Sequence, residues 1–139
     1  MSVPAYRRSL SNLQFYETGF KIYEEIVKVL DKLPKKIDET NRGYLIAYFY
    51  RSILDQIKNM FTYINMANSI YCRNSNSNLN RRKKYSDEAI SSCYSLISLI
   101  EMLARSYIGK VGELANISKD LNDEIALLRG WKNKTCKKD

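Results

Sequence analysis

Fifteen carboxylates, three cysteines and no histidine make up the chemistry-bearing residues of this 139-residue sequence. Without an imidazole there can be no Glu-x-x-His di-iron site, no H-E-x-x-H zinc site and no triad with histidine as its base. The glycines at 19, 43, 109, 112 and 130 fit neither a P-loop nor a dinucleotide fingerprint. Glu24-Glu25, Asp87-Glu88 and Asp123-Glu124 are sequence neighbours. On a helix, neighbours point about 100° apart, so no pair forms an acid–base dyad by itself. With i,i+4 partners such as Glu24 to Lys28, these carboxylates read as solvated faces. Asp55 and Glu101 lie beside apolar positions and read as half-buried structural groups. An enzyme would need those two to converge on a polar pocket, and no catalytic residue is assigned. Cys72, Cys93 and Cys136 make no C-x-x-C pair. Cys93 falls on an apolar stripe and reads as a small core residue. That usage predicts a reducing, cytoplasmic setting, with no metal and no cofactor.

The cations carry more information. Lys and Arg number 23 against 15 acidic residues, a formal charge of +8 that favours a polyanionic partner. They cluster twice: Arg81, Arg82, Lys83 and Lys84 at the expected entrance of a helix, and Arg129, Lys132, Lys134, Lys137 and Lys138 at the C-terminus. A helix dipole disfavours cations at its start and welcomes them at its end, so the first group is the stronger sign of an anionic partner. Cations alone are enough for phosphate contacts, and they give salt-dependent binding with little sequence preference. Most of the eleven tyrosines fall on apolar stripes and read as core or interface. Tyr85, beside the basic run, is the candidate for base stacking.

These groups must be positioned by helices, because 45% of the residues are apolar and only five glycines and two prolines interrupt the chain. Periodicity predicts four helices, over residues 12–33, 41–71, 81–108 and 111–134, in one domain followed by a short, flexible basic tail. Ser11-x-x-Gln14 is a capping box, with Leu10 and Phe15 placed as a hydrophobic staple. Behind it the expected inward face is Leu13, Tyr16, Phe20, Tyr23, Val27 and Leu30, and Leu33-Pro34 ends the helix. Helix two carries the stripe Ile46, Tyr50, Ile53, Ile57, Met60, Ile64, Ala67 and Tyr71. A second apolar set, Leu45, Phe49, Met66 and Ile70, lies beside it. Tyr44 to Tyr50 is apolar all round, which predicts an oligomer interface at Tyr44, Leu45, Tyr48 and Phe49. The segment CRNSNSNLN at 72–80 reads as a polar loop. Helices three and four present Ala89, Cys93, Leu96, Ile100, Leu103 and Tyr107, then Leu114, Ile117, Leu121, Ile125, Leu128 and Trp131. Short connections between long helices predict an all-α, antiparallel up-and-down four-helix bundle. No apolar run is long enough to span a membrane, and the first residues hold no export signal.

From about Tyr16 to Lys132 the chain resembles the four-helix accessory proteins of diversity-generating retroelements, and more distantly the bacterial ribosomal RNA intervening-sequence proteins. The resemblance is carried by Ile22-Tyr23, by Leu33-Pro34-Lys35-Lys36 closing helix one, and by Arg82 and Ala89 at the start of helix three. The ending Glu124-Ile125-Ala126-Leu127-Leu128-Arg129-Gly130-Trp131 is similar to the family's terminal Leu-Gly-x-Trp signature. Helix two reads SILDQIKNMFTYINMANS, where the intervening-sequence branch carries a Ser-x-Ile-Ala-Glu-Gly-like segment, so the retroelement branch is favoured. The resemblance implies a homopentameric barrel of bundles that binds RNA or DNA and a partner reverse transcriptase, supporting mutagenic cDNA synthesis without catalysis of its own. It also implies that Trp131 is a core plug seating helix four. The rival from another class is a protein-interaction scaffold of the intervening-sequence type, in which the charge serves solubility alone.

Overall fold

The computed structural model describes residues 14–32, 43–70, 75–106 and 111–134. They form α1 (Gln14–Asp31), α2 (Gly43–Ser69), α3 (Asn76–Ser106) and α4 (Val111–Lys134). Packing runs α2 on α3, α3 on α4, and α4 back on α1, consistent with an up-and-down bundle. The ring of helices is uneven: α1 leans on α4 and scarcely approaches α2.

On α1 the buried face is Phe15, Gly19, Ile22, Ile26, Val29 and Leu30. The expected face was placed about one residue round the helix. Of its described members Leu30 is buried, Tyr16 and Val27 are half-buried, and Phe20 and Tyr23 are exposed. Two stripes compete on this helix, and the one without tyrosine wins the interior because a tyrosine hydroxyl prefers a margin where one end stays wet. Glu17 in the first turn and Lys28 in the last suit the helix dipole. The proposed cap at Ser11 lies outside the described residues.

α2 buries Phe49, Ile53, Ile57, Met60, Ile64 and Ala67, and Ile70 just beyond its end is buried too. Tyr50, expected inside, is exposed, and so is Met66 of the second apolar set. The helix closes where the Ser69 hydroxyl donates to the Met66 carbonyl at 2.8 Å and Ile70 N–H donates to the Ala67 carbonyl at 3.3 Å.

α3 begins at Asn76, inside the segment expected to be a loop. Ser75 is the reason. Its hydroxyl accepts the Asn78 N–H at 3.2 Å and its carbonyl accepts the Leu79 N–H at 3.0 Å, so a helix cap overrides the turn preference of the Asn and Ser residues after it. From there Ala89, Cys93, Leu96, Ile100 and Leu103 enter the core as expected. The two deeply placed serines, Ser86 and Ser92, donate back to the carbonyls of Arg82 and Glu88 at 2.9 and 3.1 Å.

α4 runs over the expected residues, with Leu114, Ile117, Leu121, Ile125 and Leu128 in the common core. Ile26, Val29, Leu30, Ile53, Ile100, Leu103, Leu114 and Ile117, drawn from all four helices, close on a gap of about 10 Å³. A lining this apolar keeps so small a space dry. Asp55 and Glu101 stand exposed on α2 and α3. Among the same residues no helix is long and apolar enough to cross a membrane.

Candidate nucleic-acid interface

Antiparallel packing sets the geometry of the basic clusters. The first turns of α3 lie beside the last turns of α4, so the run at Arg81–Lys84 and the cations at the end of α4 arrive at one end of the bundle. Three contacts fix this register: Arg82 over the Trp131 ring at 4.7 Å, Arg129 to the Tyr94 hydroxyl at 2.7 Å, and Lys132 to Asp87 at 2.6 Å.

The four cations of the α3 run have different fates. Consecutive residues on a helix sweep most of a full turn, so one of four must face the core. Arg82 is that residue, only 5% exposed and on the same stripe as Ser86, Ala89 and Cys93. Its guanidinium is spread over Trp131, and burial lowers its pKa. Arg82 is therefore corrected from a phosphate contact to a packing residue. Arg81 and Lys84 are exposed and Lys83 is half-exposed, leaving three cations of the run at the surface.

The earlier start of α3 also changes the electrostatic argument. The run occupies the second turn rather than the helix entrance, and the dipole's influence fades within the first turn. The cations are not opposed by the helix end, so their placement alone points to a partner less strongly than the sequence implied.

On α4, Arg129 is exposed but committed: its guanidinium donates to the Tyr94 hydroxyl and lies 5.7 Å from the centre of that ring. Lys132 is half-buried and its ammonium donates to Asp87. Lys134 ends α4 with its side chain outside the described residues, and Lys137 and Lys138 lie outside them altogether. Trp131 is half-buried between Arg82 and Phe15, whose ring centre is 4.5 Å away.

Tyr85 is half-buried and stacks on Tyr63 of α2, ring centres 6.3 Å apart. Among the described residues, the tyrosines with open faces are Tyr23, Tyr48, Tyr50 and Tyr94. Of the expected oligomer patch, Tyr48 is 61% exposed, whereas Phe49 is 3% exposed and belongs to the protomer's own core. That position is corrected: α2 turns Phe49 inward, toward Ile53 and Ile57 one and two turns on. The side chains of Tyr44 and Leu45 lie outside the described residues.

One group escaped the sequence reading. Glu124 was grouped with the solvated carboxylates, yet it is 0% exposed and neither carboxyl oxygen has a hydrogen-bond partner. Burial alone pushes its pKa up to about 8 from an ordinary 4.5. Its i−3 and i+4 neighbours, Leu121 and Leu128, are both core residues, and that spacing was the available signal. Cys93 is buried nearby, its thiol 3.4 Å from the Met60 sulfur. Burial first, and the Glu124 charge second, push that thiol above its ordinary range. No cluster of three or more cysteine, aspartate or glutamate residues could hold a metal among the described residues.

The fold defines an all-α, four-helix protein. The chain matches no family model, and neither the curated proteins nor the solved structures give a significant match.

Proposed function

We propose that this protein is a non-catalytic accessory protein that binds RNA or cDNA and a partner reverse transcriptase, of the kind found in diversity-generating retroelements. One observation supports the nucleic-acid part best: the α3–α4 pairing brings the α3 run to the same end of the bundle as Arg129 and Lys132, with Arg81 and Lys84 exposed and Lys83 half-exposed. The polymerase partner and a homopentameric ring rest on the resemblance to that family. A ring would repeat the same patch around an axis and raise avidity without any new contact.

The test is fluorescence anisotropy of the protein against a structured RNA across a salt series. Affinity is expected to fall log-linearly with salt, by a slope of about 0.9 or less for each phosphate engaged. The variant Arg81→Glu/Lys83→Glu/Lys84→Glu is expected to abolish binding with unchanged helicity. Arg82 is left intact in it, because a glutamate there would be buried against Trp131. Binding that survives this variant removes the assignment.

A second reading, the protein-interaction scaffold, is favoured by the commitment of Arg129 to Tyr94 and Lys132 to Asp87, which spends part of the positive charge inside the protein. It predicts no RNA affinity even at low salt.

A further inference from the structure

The α1–α4 seam holds an arrangement that neither nucleic-acid binding nor oligomer formation uses. Glu124 of α4 points its carboxyl into the interior beneath Gly19 of α1. A methyl group built on Gly19 would stand 2.7 Å from Glu124 Oε2 and 3.2 Å from the Phe61 ring. Glycine at that position is what lets α1 lie down over the carboxyl. One turn back on α4, Asp120 faces Glu25 of α1, and Lys21 lies 3.8 Å from the one and 3.9 Å from the other. Burial, and then the neighbouring Asp120, raise the Glu25 pKa, against the lowering influence of Lys21 and Lys28. The same seam therefore carries a carboxyl pair bridged by one mostly exposed lysine, and a buried carboxyl with no partner.

Around Glu124 itself, α1 presents Gly19, α2 presents Phe61, and α3 presents the Cys93 thiol. Lys58 on α2 and Lys119 and Asp123 on α4 are exposed. No cation from these neighbours partners either Glu124 oxygen.

We propose that α1 is a proton-dependent clasp: with Glu124 neutral it closes over α4, and ionisation of Glu124 releases it from the other three helices. The selectivity for α1 follows from the packing. α1 is seated mainly on α4 and meets α2 through the rings of Tyr16, Phe20 and Phe61 rather than along a close backbone contact. A charge that cannot be solvated or paired is relieved most directly by lifting the helix that covers it. Lifting α1 also draws Phe15 away from Trp131.

The sign and size follow from proton linkage. A carboxyl that titrates near 8 under the closed clasp and near 4.5 once uncovered makes the opening equilibrium rise about tenfold per pH unit between those values. Below the lower value the clasp is fully favoured, and above the upper one the opening constant levels off.

The experiment is amide hydrogen exchange on the full chain at several pH values from 6 to 9, with protection factors corrected for intrinsic rate. Protection in α1 is expected to fall about tenfold per unit up to pH 8, while α2 and α3 hold theirs. Glu124→Gln is expected to remove the pH dependence from α1. As a measurement needing no variant, Trp131, the sole tryptophan, is expected to shift its emission reversibly to longer wavelength as pH rises and Phe15 leaves it. Protection in α1 that is flat with pH, a loss shared equally by α2 and α3, or dependence that persists in Glu124→Gln overturns the proposal. So does Trp131 emission that is unchanged between pH 6 and 9.

Discussion

α4 has two neighbours and treats them in opposite ways. Toward α3 its last turns offer Arg129, Trp131 and Lys132, and each meets a complementary group: Tyr94, the Arg82 guanidinium and Asp87. Toward α1 its middle turns offer Asp120, which meets the Glu25 carboxyl with Lys21 beside both, and Glu124, which meets a glycine. Both seams bury aliphatic side chains, so the hydrophobic contribution does not distinguish them. The polar groups do. The first seam pairs each polar group with a complementary one, whereas on the second, burial favours the neutral form of Glu124 and, less strongly, of Glu25. One helix thereby has a permanent neighbour and a conditional one.

The largest expected effect breaks this contrast at its centre. A group whose folded pKa is raised to about 8 keeps its stability fully below about 4.5 and loses it as pH rises toward 8. The slope is about 1.4 kcal/mol per pH unit, so urea denaturation at pH 5, 7 and 9 should give stabilities that fall by several kcal/mol in total. Glu124→Gln keeps the shape and removes the charge. It should match the native protein near pH 5 and exceed it at pH 9. A native stability that climbs between pH 5 and 9 would contradict the assignment of Glu124 as a neutral buried acid.

Gly19→Ala comes next. The added methyl meets Glu124 Oε2 at 2.7 Å and Phe61 at 3.2 Å, a crowding whose cost is about 1–3 kcal/mol. Alanine's better helix propensity returns up to about 1 kcal/mol. The net is a loss of about 1–2 kcal/mol by denaturation. Shortening the carboxylate should relieve it, so Gly19→Ala should cost less in a Glu124→Ala background. Equal costs in the two backgrounds would show that the two residues do not press on each other.

On the permanent seam, Arg82→Ala removes a guanidinium spread over an indole and the packing of its aliphatic stem, together about 1–2 kcal/mol. The same variant sharpens the distinction between packing and phosphate contact within one basic run. RNA affinity should respond to Arg81→Ala or Lys84→Ala and barely to Arg82→Ala, once folding is accounted for.

The reach of the sequence follows the same division. Where one apolar stripe ran alone, as over Ala89 to Leu103 and Leu114 to Leu128, periodicity placed the core correctly. On α1 two stripes ran side by side, and choosing between Phe15–Ile22–Ile26 and Tyr16–Phe20–Tyr23 needed the neighbouring helix, which sequence spacing does not contain. The helix start at Asn76 was legible in principle from Ser75, but the run of asparagines and serines around it spoke equally for a loop. Arg82 and Glu124 were misjudged for one shared reason. Each was read by its charge and its sequence neighbours, when Leu121 and Leu128 already placed Glu124 on a core stripe and Ala89 and Cys93, two and three turns on, lie on the face of Arg82. That Arg129 and Lys132 lie beside the start of α3 follows from the pairing of α3 with α4, which the positions of the cations in the sequence do not show.

The smallest effect concerns Lys132 and Asp87. Their 2.6 Å ion pair joins α4 to α3 with the lysine about a quarter exposed and the aspartate over half exposed. A pair that open to water contributes about 0.2–1 kcal/mol, because solvent screens the attraction and two long side chains lose freedom to form it. Asp87→Asn should therefore lower stability by less than about 1 kcal/mol at low ionic strength and by almost nothing at 1 M salt. Its effect on RNA should run the other way. Removing the Asp87 charge makes the surface around Lys132 more positive by one, so binding at low salt should tighten and its salt dependence steepen by up to about one phosphate's worth. A variant that loses several kcal/mol of stability would make this ion pair a structural strut of the α3–α4 seam. Unchanged RNA affinity would leave the exposed cations of α3, and not the end of α4, as the surface that meets phosphate.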